Sequence, residues 1–275
     1  EKEKDVVTGV VQRYVGKNIS INLGKADAML TENEQVKGEV FKPTERIKVY
    51  IVEVKNTPKG PRINVSRTHP ELVKRLFESE VTEIKDGTVE IKSIAREAGS
   101  RTKIAVWSND PDVDAVGACV GMNGARVNAV VEELRGEKID IINWDENPAI
   151  LIENALSPAK VIAVMADPDE KTALVVVPDY QLSLAIGKEG QNARLAARLT
   201  GFKIDIKSET QAKEAGDFYD YDDDETAEDA AEASAEETSA EDSLTEETEA
   251  EEVSEEVPVE EEPQAQEAGE NEDEE

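Results

Sequence analysis

The residues of this chain whose types and spacing could do chemistry are two pairs of glycines. Gly121 and Gly124 flank Met122 and Asn123 in "CVGMNGARVNAVVEELRGEKIDI", and Gly187 and Gly190 flank Lys188 and Glu189 in "AIGKEGQNARLAARLTGFKIDI". Each pair interrupts an apolar run and is followed at once by a helical pattern. A lone GxxG says little, because turns commonly use glycine. Here each helix also ends at a glycine, Gly136 or Gly201, as suits a left-handed C-terminal cap. Both copies then finish on Lys-Ile-Asp-Ile, at 138–141 and 203–206. An internal repeat of this kind predicts two similar folded units. The chemistry on offer is anion capture. Glycine permits the turn and lets a ligand approach the backbone, and a helix starting just after the loop aims free N–H groups and its positive dipole end at the same place.

The two copies differ in charge. Lys188 supplies a cation in the second loop, and Gln191, Arg194 and Arg198 lie on the helix that follows, with the two arginines on one face at i, i+4 spacing. Leu195 and Leu199 form the face turned to the core. In the first loop the nearest cation is Arg126. Upstream, Phe41, Lys48, Tyr50 and Arg67 are candidates for base stacking and phosphate contact, with Tyr50 read equally as a half-buried strand residue.

The elements that must carry these residues fall into three groups. Residues 1–67 read as β: Val6, Val7, Val10 and Val11 around Gly9; Ile19, Ile21 and Leu23 before Gly24; Ile47, Val49 and Ile51, with Val52 and Val54 shifting phase as a bulge would; and Ile63 and Val65 after a "NTPKGP" turn. Five short strands in this length predict a small barrel, with the OB fold the commonest of that size. From His69 the period becomes helical, with Pro70 opening a helix that carries Leu72, Leu76 and Phe77. The order α-β-β-α-GxxG-α-β follows over 68–142 and again over 143–208. The short "NWDENP" connection between the units predicts a stiff junction.

Charge decides where folding is expected to stop. Of the 63 acidic residues 31 follow position 208, against one basic residue, Lys213, so the net charge of −32 divides into −30 beyond that point and −2 before it. A segment so charged and so poor in apolar residues cannot offset its chain entropy, and residues 209–275 are expected to be disordered. The near-neutral remainder can carry local basic patches. No stretch is long and apolar enough to span a bilayer, no signal-like N-terminus is present, and the single cysteine, Cys119, reads as a small buried side chain. These features point to a cytosolic protein without membrane partners, and the start without methionine suggests a part of a longer one. With one histidine, His69, expected at a domain junction, and no metal-ligand or nucleophile pattern, an enzyme, a cofactor and a metal are all unexpected.

The element order resembles the KH domain in its type II arrangement. The stretches "SRTHPELVKRLFESEVTEIKDGTVEIKSIAREAGSRTKIAV" and "DAVGACVGMNGARVNAVVEELRGEKIDI" go further and resemble the NusA family of bacterial transcription elongation and termination factors. The resemblance covers residues 1 to about 208 and implies an OB-type RNA-binding barrel followed by two KH domains, a multi-domain α+β architecture. It implies single-stranded RNA as ligand, with each GxxG loop clamping the backbone of about four nucleotides, and RNA polymerase as partner. It further implies a monomeric, non-enzymatic factor acting on pausing, termination and antitermination. The family usually places an arginine beside the second loop glycine, where this chain has Asn123, so weaker phosphate affinity is expected of the first loop. A generic KH and OB module of RNA decay or of ribosome-associated machinery is the alternative.

Overall fold

The computed structural model describes residues 3–58 and 60–217. Alternating apolar residues build five strands, β1 (Val6–Val15), β2 (Asn18–Asn22), β3 (Asp27–Leu30), β4 (Arg46–Thr57) and β5 (Gly60–Ser66), closed into a barrel of order β1-β2-β3-β5-β4. Within the barrel only β3 and β5 pair in parallel. The inward residues Ile19, Ile21, Leu30, Ile47, Val49 and Val65 fill it. The phase shift expected at Val52 is a register slip between Ile51 and Glu53. Gly9 is demanded by packing, since a Cβ there would collide with Ile21 Cγ2.

Two α/β units follow. The first runs α1 (Pro70–Glu80), α2 (Thr82–Lys85), β6 (Val89–Glu97), β7 (Arg101–Ser108), α3 (Ala115–Val120), α4 (Ala125–Glu133) and β8 (Lys138–Asn143). The second runs α5 (Pro148–Ala155), β9 (Ala163–Asp167), β10 (Thr172–Val177), α6 (Leu182–Ile186), α7 (Gln191–Thr200) and β11 (Lys203–Ser208). Each holds a three-stranded sheet in which the first two strands are antiparallel and the last joins in parallel. The repeated Lys-Ile-Asp-Ile stretch opens that last strand in both. No helix among the described residues is long and apolar enough to cross a membrane.

Residues 209–215 depart from expectation. They form helix α8 (Glu209–Ala215), started by a capping box in which the Ser208 hydroxyl accepts from Gln211 N and the Gln211 side chain accepts from Ser208 N, and anchored by buried Ala212. The rest of the expected disordered segment, 218–275, lies outside the described residues.

The sheet of the first unit is covered on both faces. Val89, Ile104 and Val106 pack with Leu72, Leu76, Phe77, Cys119 and Val130 of its own helices. From the other face Ala95 and Ala105 join one cluster with Ile152, Leu156, Leu195, Ala196 and Leu199 of the second unit. Small residues on β6 and β7 let α7 lie directly on the sheet. Burial pushes the Cys119 thiol up to about 12, that of an inert core residue.

The seam with the barrel is polar. Arg67, 1% exposed, donates to both Glu39 oxygens (3.1 and 2.5 Å), to Glu133 Oε1 at 3.0 Å and to the carbonyls of Lys48 and Glu133 at 2.9 Å. His69 sits at the junction as expected, its Nδ1 accepting from Glu71 N to cap α1 while its ring stacks on Tyr50 at 4.7 Å. Nearby, Glu137 accepts from Arg96 Nε (2.8 Å) and Nη2 (2.9 Å), Thr102 Oγ1 (2.5 Å) and Gly99 N (2.7 Å), with both members of the ion pair 1% exposed. Burial raises the Glu137 carboxyl, but Arg96, Thr102 and Gly99 together outweigh it and hold the group below its ordinary 4.5.

Glu137→Gln should therefore cost about 3 kcal/mol at neutral pH by stranding a buried arginine. A carboxyl depressed in the folded state stabilises above its unfolded value and loses that contribution as pH falls through the folded one. In denaturation series the gap between the two proteins should thus stay constant above about pH 4.5 and close below it.

Candidate nucleic-acid interface

The two GxxG loops have nearly the same backbone. Gly121 (φ 73°, ψ 174°), Asn123 (φ 52°, ψ 27°) and Gly124 (φ 75°, ψ 13°) correspond to Gly187 (77°, 173°), Glu189 (54°, 26°) and Gly190 (72°, 17°). Three of four loop residues therefore have positive φ, including one that is not glycine in each copy. Met122, 86% exposed, and Lys188 stand at the loop tips, and neither following helix is closed by a side-chain cap. Among the described residues Lys188 makes no ion pair. It is an exposed cation at the start of α7, where Gly190 N and Gln191 N donate to the Gly187 and Lys188 carbonyls.

The first glycine of each loop is required by the chain itself. A Cβ on Gly121 would lie 2.8 Å from Arg126 Cγ, and one on Gly187 would lie 2.8 Å from Asn192 Cβ and 2.9 Å from Asn192 N. The residue five places on uses that space to reach back under the loop. Arg126 Nη1 donates to the Ala118 carbonyl at 2.6 Å and pairs with Glu83 at 2.9 Å. Buried Asn192 donates through Nδ2 to the Ala185 and Leu156 carbonyls, both at 3.0 Å. The second glycine is less confined: a Cβ on Gly124 would lie 3.2 Å from Asn128 Nδ2, and around Gly190 the nearest atom is Arg194 Nη1 at 3.9 Å, so at Gly190 only the left-handed torsion asks for glycine.

Several cations proposed from the sequence for RNA are engaged within the protein. Arg126 is held by Glu83 as above. Arg194 donates through Nε to Glu97 Oε1 at 2.6 Å and through Nη2 to Oε2 at 3.2 Å, and Arg198 Nη1 lies 3.7 Å from Oε1. Gln191 Nε2 donates to Glu97 Oε2 (2.9 Å) and Ser100 Oγ (2.7 Å). These three side chains of α7 meet the β6–β7 hairpin of the first unit. Hydrogen bonds from Arg194 and Gln191 hold the Glu97 carboxyl below its usual range. Glu97 carries no sequence signal, since a lone glutamate ending a strand has no motif.

The barrel candidates are corrected. Phe41 (2% exposed), Tyr50 (5%) and Arg67 (1%) are interior residues of the barrel and its seam, unable to stack bases or meet phosphate without unfolding. Their aromatic and cationic character is used inward, with Arg135 over the Phe41 ring at 4.9 Å and His69 on Tyr50. Lys48 is half-buried, 3.8 Å from Glu80. The aromatic ring the barrel does expose is Tyr14, 47% accessible, its hydroxyl fixed by the backbone of Phe41.

An open groove of about 700 Å³ runs between the start of α3, the end of β8 and the second unit, lined by Asp114, Val116, Asn143, Glu153, Asn154 and Lys160 among others, with neither GxxG loop in its wall. Buried Lys103 ties the two units behind it, donating to the Ser157 carbonyl and to Asp140, both at 2.9 Å.

Family comparison agrees with this geometry. Residues 67–144 match a NusA-like first KH domain and residues 148–214 a NusA-like second KH domain. A transcription termination/antitermination protein NusA of Bacillus subtilis strain 168 is 62% identical over 216 residues, covering 78% of this chain and 58% of that protein. The chain belongs to the NusA family. NusA of Mycobacterium tuberculosis strain H37Rv is 51% identical over 217 residues (76% of this chain, 62% of that one), and NusA of Thermus thermophilus 49% over 205 (74% and 53%). The chain thus spans a little over half the length of these NusA relatives.

The glycine asymmetry is testable by unfolding. Gly187→Ala should cost about 3 kcal/mol, combining a torsion reserved for glycine with a backbone clash, whereas Gly190→Ala should cost about 1 kcal/mol. Equal losses in chemical denaturation would contradict the packing role of the first glycine.

Proposed function

We propose that the chain is the RNA-holding part of a NusA-type factor, engaging single-stranded nascent RNA at RNA polymerase and modulating pausing, termination and antitermination. The observation that carries the RNA reading is the pair of closely similar loops, each an exposed tip over an uncapped helix start, with Lys188 free of ion pairs among the described residues. The helix dipole there favours phosphate, and the groove between the two units offers splayed bases a mixed surface, Val116 and Ile141 with Asn143 and Asn154 beside the carboxylates of Asp114 and Glu153. Its floor crosses from one KH domain to the other, which supports one continuous strand on both. The termination and antitermination roles rest on the names of the relatives, while the polymerase partner, the monomeric state and the cytoplasmic location are carried over from the sequence and the family resemblance.

We further read 1–67 as an OB-type barrel, 68–142 and 143–208 as type II KH domains. The closed order β1-β2-β3-β5-β4 and the repeated α-β-β-α-α-β succession support that assignment. On the barrel, Tyr14 replaces the interior aromatics as the stacking candidate. Of the sequence-derived contacts we keep Gly121, Met122, Asn123, Gly124, Gly187, Lys188, Glu189 and Gly190 at the RNA.

Two substitutions test the clamp by fluorescence titration with single-stranded RNA. Lys188→Asp combined with Glu189→Asp keeps both glycines and reverses the charge at the second tip. Affinity should fall tenfold or more, about 1.4 kcal/mol, with the melting temperature unchanged; unaltered affinity would remove the loop from RNA contact. Asn123→Arg should tighten binding and steepen its log–log salt dependence by about 0.7, the increment for one added phosphate contact on a single strand.

A further inference from the structure

Arg194 is bound at both ends. Besides its two bonds to Glu97 it donates through Nη1 to the carbonyl of Glu189 at 3.0 Å, inside the second GxxG loop. One guanidinium thus joins a carboxylate at the end of β6, in the first KH domain, to the residue of the second loop that holds left-handed torsions without being glycine (φ 54°). Gln191 braces the same carboxylate and Ser100. Nothing equivalent serves the first loop. The residue matching Arg194 in the repeat is Asn128, and among the described residues no side-chain donor reaches the Asn123 carbonyl.

We propose that Glu97 is a positioning residue for RNA binding by the second KH domain, acting through Arg194 to fix the Glu189 peptide. This rests on the RNA reading above. A left-handed non-glycine residue stores strain that surrounding contacts must hold, and a loop ordered beforehand spares the entropy of ordering on binding. The planar fork of Arg194 is shaped for both partners, since two of its N–H groups grip the carboxylate and a third reaches the carbonyl. With three of its five N–H groups engaged within the protein, the guanidinium acts on RNA in this proposal through loop geometry. The second clamp is in this way conditional on the β6–β7 hairpin of the first domain, and the two KH domains are coupled even when RNA touches only one.

The test uses the full chain with Glu97→Gln, Arg194→Ala and the double variant, read against a labelled single-stranded RNA and by backbone amide hydrogen exchange. Each single variant should weaken RNA binding about fivefold, the upper range for a part-exposed ion pair. The double variant should be no weaker than either single one, because both break one relay. The log–log salt slope should stay that of the parent chain. Exchange at Glu189 and Gly190 should accelerate in Glu97→Gln without RNA present. Parent-like or tighter binding by Glu97→Gln would overturn the proposal, as would a slope reduced by about 0.7 in Arg194→Ala, which marks a direct phosphate contact. Unchanged exchange at the loop would overturn it independently of RNA. A parent chain that binds no RNA would refute the RNA reading instead, leaving the exchange experiment to decide the relay.

Discussion

The rest of the structure depends on one packing event, the laying of helix α7 on the outer face of the first KH sheet. Ala95 and Ala105 keep that face shallow, and Leu195, Ala196 and Leu199 fill it. A three-stranded sheet with helices on one face would ordinarily leave the other to solvent. Here the second domain supplies the missing layer, and its own core is completed by Ala95, Ala105 and Ile142 of the first. The helix used for this is the one that begins at the second GxxG loop. Its N-terminal end is thereby fixed relative to the first domain, whose own loop rests on the opposite face of the same sheet.

Around this apolar contact the charged groups have been drawn inward. Arg67 with Glu39 and Glu133 closes the barrel seam; Arg96 with Glu137 holds the hairpin; Lys103, paired with Asp140 inside the first KH domain, reaches the Ser157 carbonyl of the second. Such pairs add little net stability over apolar substitutes, because desolvation offsets the attraction. Their effect is directional. A buried guanidinium tolerates few arrangements of its partners, so each seam has one geometry. The consequence for the surface is subtraction: Arg67, Arg126 and Arg194 all have carboxylate partners within the fold.

Local pattern is legible in the sequence, and tertiary destination is not. The strand and helix order, the bulge near Val52, the capping role of Gly201 and the repeat all follow from torsional demands and from apolar spacing over a few residues. The Gly136 end differs in detail, since Arg135 shares positive φ with it. Strand β3 escapes notice because Asp27–Leu30 offers only two buried side chains. Helix α8 is hidden because acidic composition outweighs a readable start, Ser208 with Gln211 three residues later. The barrel candidates fail for a deeper reason. Phe41, Tyr50 and Arg67 have the right chemistry for RNA, but which side of a barrel they face depends on neighbours distant in sequence. Glu97 has no pattern to betray it, since its importance lies wholly in the helix it meets.

The shared sheet also sets a length scale. If the shared apolar cluster keeps the two loops on one body, the separation between the phosphates they would hold is a constant of the molecule, like the gap of a calliper. Under the proposed function, RNA spanning the gap would gain both contacts for one loss of translational freedom, and RNA too short to reach would gain only one. A strand paired into a hairpin cannot supply unpaired backbone across the same interval. Selection by unpaired length and by freedom from secondary structure would then need no reading of bases at all.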